Sequence, residues 1–492
     1  MSFLVLKTKN STHLEPPAFV PEGTYSADAN GTFNVTNYEF VRVLVENKKI
    51  KQVEFSDGVF WILNNAGELW GCGGNSYGQQ GAGSTTDVSL FTKRMTNVEQ
   101  IVCSSNTTWV IKKDGTLWGC GRNDYGQQGS GNTTNVTTFT QRLTNVKKVF
   151  CSYATTFAIK NDDSLWGCGW ASYGQQGDNN TASHNVTSFT KRMDNVEKVC
   201  CLDNITWVLT KDGKAMGCGY DVNGNVDGKS GSNRKVGTFT QNLDNVKDIY
   251  FTDYGDKFAK ALTNDNKFYK LGVVTLLTSN VDRFIVKKGL AGASWDSYWV
   301  IKKDGTLWGM GKDSYGQQGS GVTTSDTNRT VSNFTQRLTN VKDVAHSNLT
   351  TYALKNDGTL WACGSNSSGQ QSIGNTSTKL VGTFTQRLTN VKKVGCSSTG
   401  VWVLKNDGTL WVCGGNSYGQ LGTGNTSTVT TFKQVTTNVE DFEYQVENFQ
   451  ALFVFKKNEY NGVYTCGRNH LGYLGTGNTT ETVSSFAKRN LP

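Results

Sequence analysis

Proline is nearly missing from this sequence, with four residues in 492, and three of the four fall before residue 22. Long helical patterns are missing too: no stretch carries apolar residues at every third or fourth position, so a helical protein is excluded. No run of 18 apolar residues occurs, so the sequence predicts no membrane-spanning helix and no membrane insertion. The apolar opening "MSFLVL" is broken by Lys7 and is too short for the core of a signal peptide. Histidine is as scarce as proline: His13, His184, His346 and His470 stand far apart. No Cys–His or Ser–His–Asp arrangement recurs, and no catalytic residue is assigned. No glycine-rich loop opens a helix with Lys-Ser/Thr, so nothing cradles a phosphate. Zinc would want Cys-x-x-Cys with a second pair or histidines, and that pattern is absent. These absences remove the common enzyme classes and leave no expected cofactor or metal.

What is abundant points to sheets. Glycine numbers 55, aromatics make up 11%, and Asn and Thr recur in turn-like clusters. The net charge is +9, yet the basic residues are dispersed as pairs such as Lys112–Lys113, Lys147–Lys148, Lys302–Lys303 and Lys392–Lys393. Repeated pairs spread charge around the molecule, which predicts a solvated surface and no specific nucleic-acid partner. Asn-x-Ser/Thr sequons at Asn106, Asn132, Asn348 and Asn425 follow from the composition.

The chain repeats itself. "TWVIKKDGTLWGCGRNDYGQQGSGNTT", "YWVIKKDGTLWGMGKDSYGQQGSG" and "VWVLKNDGTLWVCGGNSYGQLGTGNTS" are versions of one block. With the usually aromatic residue before Gly-Cys-Gly as marker, units fall at Trp70, Trp118, Trp166, Met216, Tyr269, Trp308, Trp361, Trp411 and Tyr464. Nine units result, the fourth and fifth degenerate. Each reads as a strand "FTQRLTNVKKV", a strand like "WVIK", an Asp-Gly turn, and a strand "TLWGCG". The "NSYGQQGSGNTT" stretch is expected to lead into the next unit. One such unit cannot bury both faces of its sheet, but stacking units around an axis does. The prediction is an all-β propeller of about seven to nine blades. It comprises residues 37–492, preceded by an extended arm over residues 1–36. A strand shared between the chain ends, "NYEFVRVLVENKKIKQV" near Tyr38 and "SSFAKRNLP", is expected to close the ring.

The block "DGTLWGCGRNDYGQQGSG" resembles the repeat of the regulator of chromosome condensation family, with "GGNSYGQLGTGNTS" from Gly414 the nearest copy. That resemblance implies a propeller, usually of seven blades, and activities such as nucleotide exchange on a small GTPase or nucleosome binding. Neither activity transfers. The histidine that many family repeats carry seven residues before the turn Asp is replaced here by Thr107, Thr155, Ile205, Ser297, Thr350 and Gly400.

Two repeated features invite a functional reading. The tyrosines of "SYGQQG" and its variants (Tyr77, Tyr125, Tyr173, Tyr315, Tyr418) could ring a ligand, although repetition in most units favours a structural loop. Four cysteines, Cys103, Cys151, Cys201 and Cys396, each precede the Cys of their own Gly-Cys-Gly by 17 residues. That spacing could pair them, but Phe55, His346 or Phe449 stands at the position elsewhere, so buried reduced thiols are expected.

The internal copies are unusually alike and rich in Asn and Lys, which suggests a bacterial or bacteriophage source. The leading expectation is a non-enzymatic structural or receptor-binding protein of a phage tail or similar particle. It would be made in the cytoplasm and carried in the virion, its partners being other virion chains and a host cell-surface receptor. The alternative is a cytoplasmic regulatory propeller that docks a protein such as a small GTPase. A lectin would rest on exposed aromatics alone.

Overall fold

The computed structural model describes residues 50–490 except 57, 203, 230–232, 252–257, 286–296, 446–449, 458, 460, 461 and 481. The expected arm, 1–36, and the segment near Tyr38 lie outside the described residues. Nine four-stranded antiparallel sheets follow one another in chain order, each a simple meander. We number these blades 1 (50–95), 2 (98–143), 3 (146–193), 4 (196–243), 5 (246–278), 6 (281–338), 7 (341–388), 8 (391–436) and 9 (439–490).

Blade 2 shows the plan, with strands Val98–Ser104, Thr107–Lys112, Leu117–Gly121 and Val136–Leu143. The second strand is the core: Trp109 and Val110 are fully buried. A Trp, Phe or Tyr takes the place of Trp109 in most other blades: Trp61, Phe157, Trp207, Trp299, Tyr352, Trp402 and Phe453. Each such ring contributes about 1.5–3 kcal/mol by leaving water. In blade 2 Gly119 has no room for a side chain, because a Cβ there would lie 2.5 Å from the Trp109 ring and 2.4 Å from Gln128.

The hydrophobic core is not one mass but nine clusters, each formed between two neighbouring blades. Blades 1 and 2 share Trp61, Leu63, Ile101 and Val110; blades 8 and 9 share Trp402, Leu404, Phe442 and Leu452. The ninth cluster joins blade 9 to blade 1 through Phe453, Tyr473, Phe60 and Phe91, so the ring is closed. First strands of successive blades contact one another from blade 1 through blade 5 and between blades 7 and 8. Nine blades exceed the seven implied by the family resemblance, because every unit, even the degenerate fifth, folds into a blade. Blade 5 manages with strands Lys260–Thr263, Phe268–Lys270 and Thr275–Thr278 and a short turn in place of the long loop.

Two expectations need correction. "FTQRLTNVKKV" is not one strand: Leu143 ends blade 2 and Val146 begins blade 3. The break is made by Asn145, whose φ of 60° lies in the left-handed region that Asn tolerates better than most residues. An Asn with φ near 60° marks every one of the eight links: Asn97, Asn145, Asn195, Asn245, Asn280, Asn340, Asn390 and Asn438. Closure also needs no shared strand, since Thr482–Asn490 completes blade 9 as its own fourth strand. The joint is instead a loop clasp, Gly477 N–H to Ser89 O at 2.8 Å, with Cys72 Sγ donating to Tyr473 O at 3.2 Å.

The 17-residue cysteine spacing spans two strands. Cys103 sits opposite Thr108, and Thr108 sits opposite Cys120, so a strand separates the sulfurs by about 10 Å. Cys151, Cys201 and Cys396 repeat this with Thr156, Thr206 and Val401 between. Burial pushes the Gly-Cys-Gly thiols up, Cys413 to about 11.

Candidate functional site: the loop face of blades 1 to 4

The "SYGQQG" loop does not lead away from its blade. It joins the third strand to the fourth and leans on the next blade. In blade 1, Gln80 Nε2 donates to Cys72 O at 2.7 Å, and Asn75 Oδ1 accepts from Gln80 N at 2.8 Å. Gln79 reaches across: its Nε2 donates to Asn106 Oδ1, and its carbonyl accepts from Thr108 Oγ1 at 2.8 Å and Cys120 Sγ at 3.3 Å. The glutamines are therefore structural, and so is Cys120.

The tyrosines are different. Tyr77, Tyr125, Tyr173, Tyr315 and Tyr418 are all half-buried, and only their backbone N–H joins the clasp, as in Tyr125 N to Gln127 Oε1 at 2.9 Å. Four of the rings reach toward the residue that follows the Gly-Cys-Gly position in the next blade. Tyr77 meets Arg122 at 5.3 Å, Tyr125 meets Trp170 at 5.5 Å, Tyr173 meets Tyr220 at 5.0 Å and Tyr418 meets Arg468 at 5.0 Å. The rest of the repeat hardly varies, yet that receiving position holds Gly74, Arg122, Trp170, Tyr220, Lys312, Ser365, Gly415 and Arg468.

Over blades 2 to 4 the contacts merge into a row. Tyr153, Tyr125, Trp170, Tyr173 and Tyr220 follow one another with centroid separations of 6.2, 5.5, 5.2 and 5.0 Å. Arg122 adds Tyr77, its guanidinium also lying 4.8 Å from the Tyr153 ring and donating to Tyr153 Oη at 2.9 Å. Asp124 holds Arg122 at 2.7 Å. Trp170 Nε1 donates to Ser172 Oγ at 2.7 Å, and Lys235 Nζ stands 5.3 Å from the Tyr173 ring. Tyr153 is 38% exposed. Of the five repeated tyrosines, the structure brings Tyr77, Tyr125 and Tyr173 into this arc; Tyr315 and Tyr418 belong to blades 6 and 8. Trp170, Tyr220, Tyr153 and Arg122 were missed, although their departure from the repeat was a readable signal.

Next to Tyr220, blade 4 holds an ion cluster: Arg234 bridges the carboxylates of Asp221 and Asp227. Asp221, 1% exposed, stands where blade 2 has Asn123, and its Oδ1 accepts from Val226 N at 3.0 Å. His184 Nε2 lies 2.7 Å from Asp178, and His346 is buried. Among the described residues no three His, Cys, Asp or Glu side chains converge as a metal site.

A cavity of about 780 Å³ lies where blades 1, 7, 8 and 9 approach one another, lined by Lys51, Gln52, Lys392, Glu440, Glu443 and their neighbours. Ion pairs between first strands tie the ring together: Lys51–Glu99 at 2.6 Å, Lys148–Glu197 at 2.6 Å, Lys198–Asp248 at 2.6 Å and Lys393–Asp441 at 2.7 Å each cross a blade boundary. Lys112 and Lys302 lie over Trp118 and Trp308 at 4.9 and 3.7 Å. The lysine pairs thus join blades or cover rings, where the sequence suggested only a solvated surface.

The model of the regulator of chromosome condensation (RCC1) repeat matches residues 98–127, 146–175 and 341–370, and a second model of that repeat matches 114–159. No curated protein matches in sequence. Similar solved structures include human WBSCR16, 19% identical over 75% of this chain and 90% of that one, with a TM-score of 0.42. Yeast RCC1 (Prp20) bound to Kap60 is 14% identical over 76% and 83% of the two chains, with a TM-score of 0.44. Prp20p from Saccharomyces cerevisiae, described with its binding to Gsp1p and histones, is 15% identical over 77% and 87%, also at 0.44. The matched segments resemble the RCC1 repeat, and the closed ring of nine four-stranded sheets makes the chain a β-propeller.

Proposed function

We propose that this chain is a non-enzymatic recognition protein that presents the loop face of blades 1 to 4 to its target. One observation carries the reading: aromatic side chains occupy Tyr153, Trp170 and Tyr173, where blade 7 has Asn348, Ser365 and Ser368 and keeps the same glutamine contact. Gln371 Nε2 still donates to Cys363 O at 2.9 Å there. Rings that the fold does not need, held at the surface, are the mark of a contact patch. Trp, Tyr and Arg are the residues that dominate such patches.

The finer reading is a receptor-binding component of a phage tail or similar particle, from a bacterial or bacteriophage source. The closely similar internal copies support it, and residues 1–36 would be the anchor. The test uses Fab fragments raised against the rim of blades 2 to 4 and against that of blades 6 to 8. Particles should be labelled by both, and attachment to cells should be blocked by the first alone. Recovery of the protein only from cytosol, bound to a small GTPase, would replace this reading with the regulatory one.

A further inference from the structure

We propose that the aromatic row on blades 2 to 4 binds a neutral glycan, an inference that rests on the recognition reading and names its ligand. Three observations converge. The first is order: the rings are fixed before any ligand arrives. Trp170 is held by Ser172, whose Oγ lies 2.8 Å from Ser183 Oγ, and Arg122 is gripped by both Asp124 and the Tyr153 hydroxyl. Little side-chain entropy is left to lose on binding.

The second is charge. Arg122 is matched by Asp124, Arg234 lies between Asp221 and Asp227, and His184 lies beside Asp178. Among the described residues Lys235 is the cation left over the row, and it already faces the Tyr173 ring while donating to Thr181 O at 3.1 Å. A strand of nucleic acid would want a cationic groove and rings able to stack in parallel. Here the ring planes turn by 39°, 85° and 57° along the row from Tyr125 to Tyr220.

The third is size. Tyr and Trp bury on the order of 150–250 Å² each when fully covered, and these rings are already mostly covered, so the row offers a few hundred Å². A stable protein interface takes about 800 Å² from each partner. A short chain of sugar rings fits the remainder: its apolar faces lie against the aromatic rings and its hydroxyls reach the Asp124 carboxylate and the tyrosine hydroxyls, the few placed polar groups that orient a ligand in such a site.

The experiment titrates the full chain, by calorimetry and tryptophan fluorescence, with neutral hexasaccharides of glucose, mannose, galactose and N-acetylglucosamine, and with oligo(dT). At least one neutral sugar should bind more tightly than oligo(dT). Trp170→Ala should weaken it at least about tenfold, the loss of one well-packed contact. Tyr315→Ala, on blade 6, should change it less than about twofold. Both variants should unfold at the temperature of the parent, which separates lost binding from lost fold. The inference is overturned if no sugar in the set binds, if Trp170→Ala leaves affinity unchanged, or if oligo(dT) binds more tightly. A Trp170→Ala protein whose particles no longer attach to cells, while no sugar binds the parent, would sink the glycan and leave the recognition reading standing.

Discussion

Blade 3 and blade 7 have the same four strands and the same glutamine contact in the clasp, although buried Ala171 replaces Asn366, whose Oδ1 accepts from Gln371 N at 3.0 Å, and they differ most where they meet solvent. Blade 3 carries Tyr153, Trp170 and Tyr173; blade 7 carries Asn348, Ser365 and Ser368 at the same three places. Their interiors agree: Phe157 and Tyr352 are both fully buried in the second strand, and Gln176 and Gln371 both donate to a Gly-Cys-Gly or Ala-Cys-Gly carbonyl. The difference teaches that structure and recognition occupy separate positions of one repeat. The interior repeats because every joint of the ring is alike, and the rim is free to vary from blade to blade.

That separation can be broken first in the interior. Phe157→Ala and Tyr352→Ala should each cost about 3–5 kcal/mol in urea unfolding, the cavity penalty of a lost core ring. A cost below about 1 kcal/mol in either blade would show that the two interiors are not equivalent. Thiol labelling sharpens the point. Cys168 and Cys363 are wholly buried and burial pushes both thiols up, so iodoacetamide at pH 8 should modify them at least about 100-fold more slowly than in unfolded chain, read by peptide mass spectrometry. Rapid modification of one of them would mark its blade as the looser.

The clasp comes next. Gln176→Ala and Gln371→Ala each strand a buried carbonyl, and should cost about 1–3 kcal/mol apiece by thermal unfolding. Equal losses support one shared clasp; a loss in blade 3 alone would mean that the aromatic row is part of it. The smallest effect is expected from the rim. Trp170→Ser with Tyr173→Ser, which copies blade 7 onto blade 3, should change stability by no more than about 0.5 kcal/mol, as surface changes usually do. A much larger loss would make the row a structural element after all.

Much of this architecture was legible in the sequence, and the parts that were not share a cause. The Asp-Gly turns, the buried "WVIK" strands and the count of nine are local patterns, and they fold as read. The link Asn was visible too, since Asn precedes Val at every boundary, but its meaning depends on a positive φ that changes sheet membership between Leu143 and Val146. The aromatic row was harder to see because each contact joins two units. Tyr125 and Trp170 are separated by most of a repeat, and a search for what is constant passes over the position that holds Trp170. The ion pairs between first strands were hidden for the same reason: Lys148 meets Glu197 one blade away.

The ring closes without lending a strand from one end of the chain to the other, because Gly477 clasps Ser89 much as Gly424 clasps Ser484 at the boundary before it. Each blade is a contiguous stretch of chain, and its two flanks are interchangeable with those of its neighbours. A gene encoding such a ring can gain or lose a whole unit by recombination within the repeat and still deliver matching flanks to close the circle. Blade number is then an inherited variable, like the number of links in a bracelet, and a rim position such as that of Trp170 travels with its unit to a new place on the circumference.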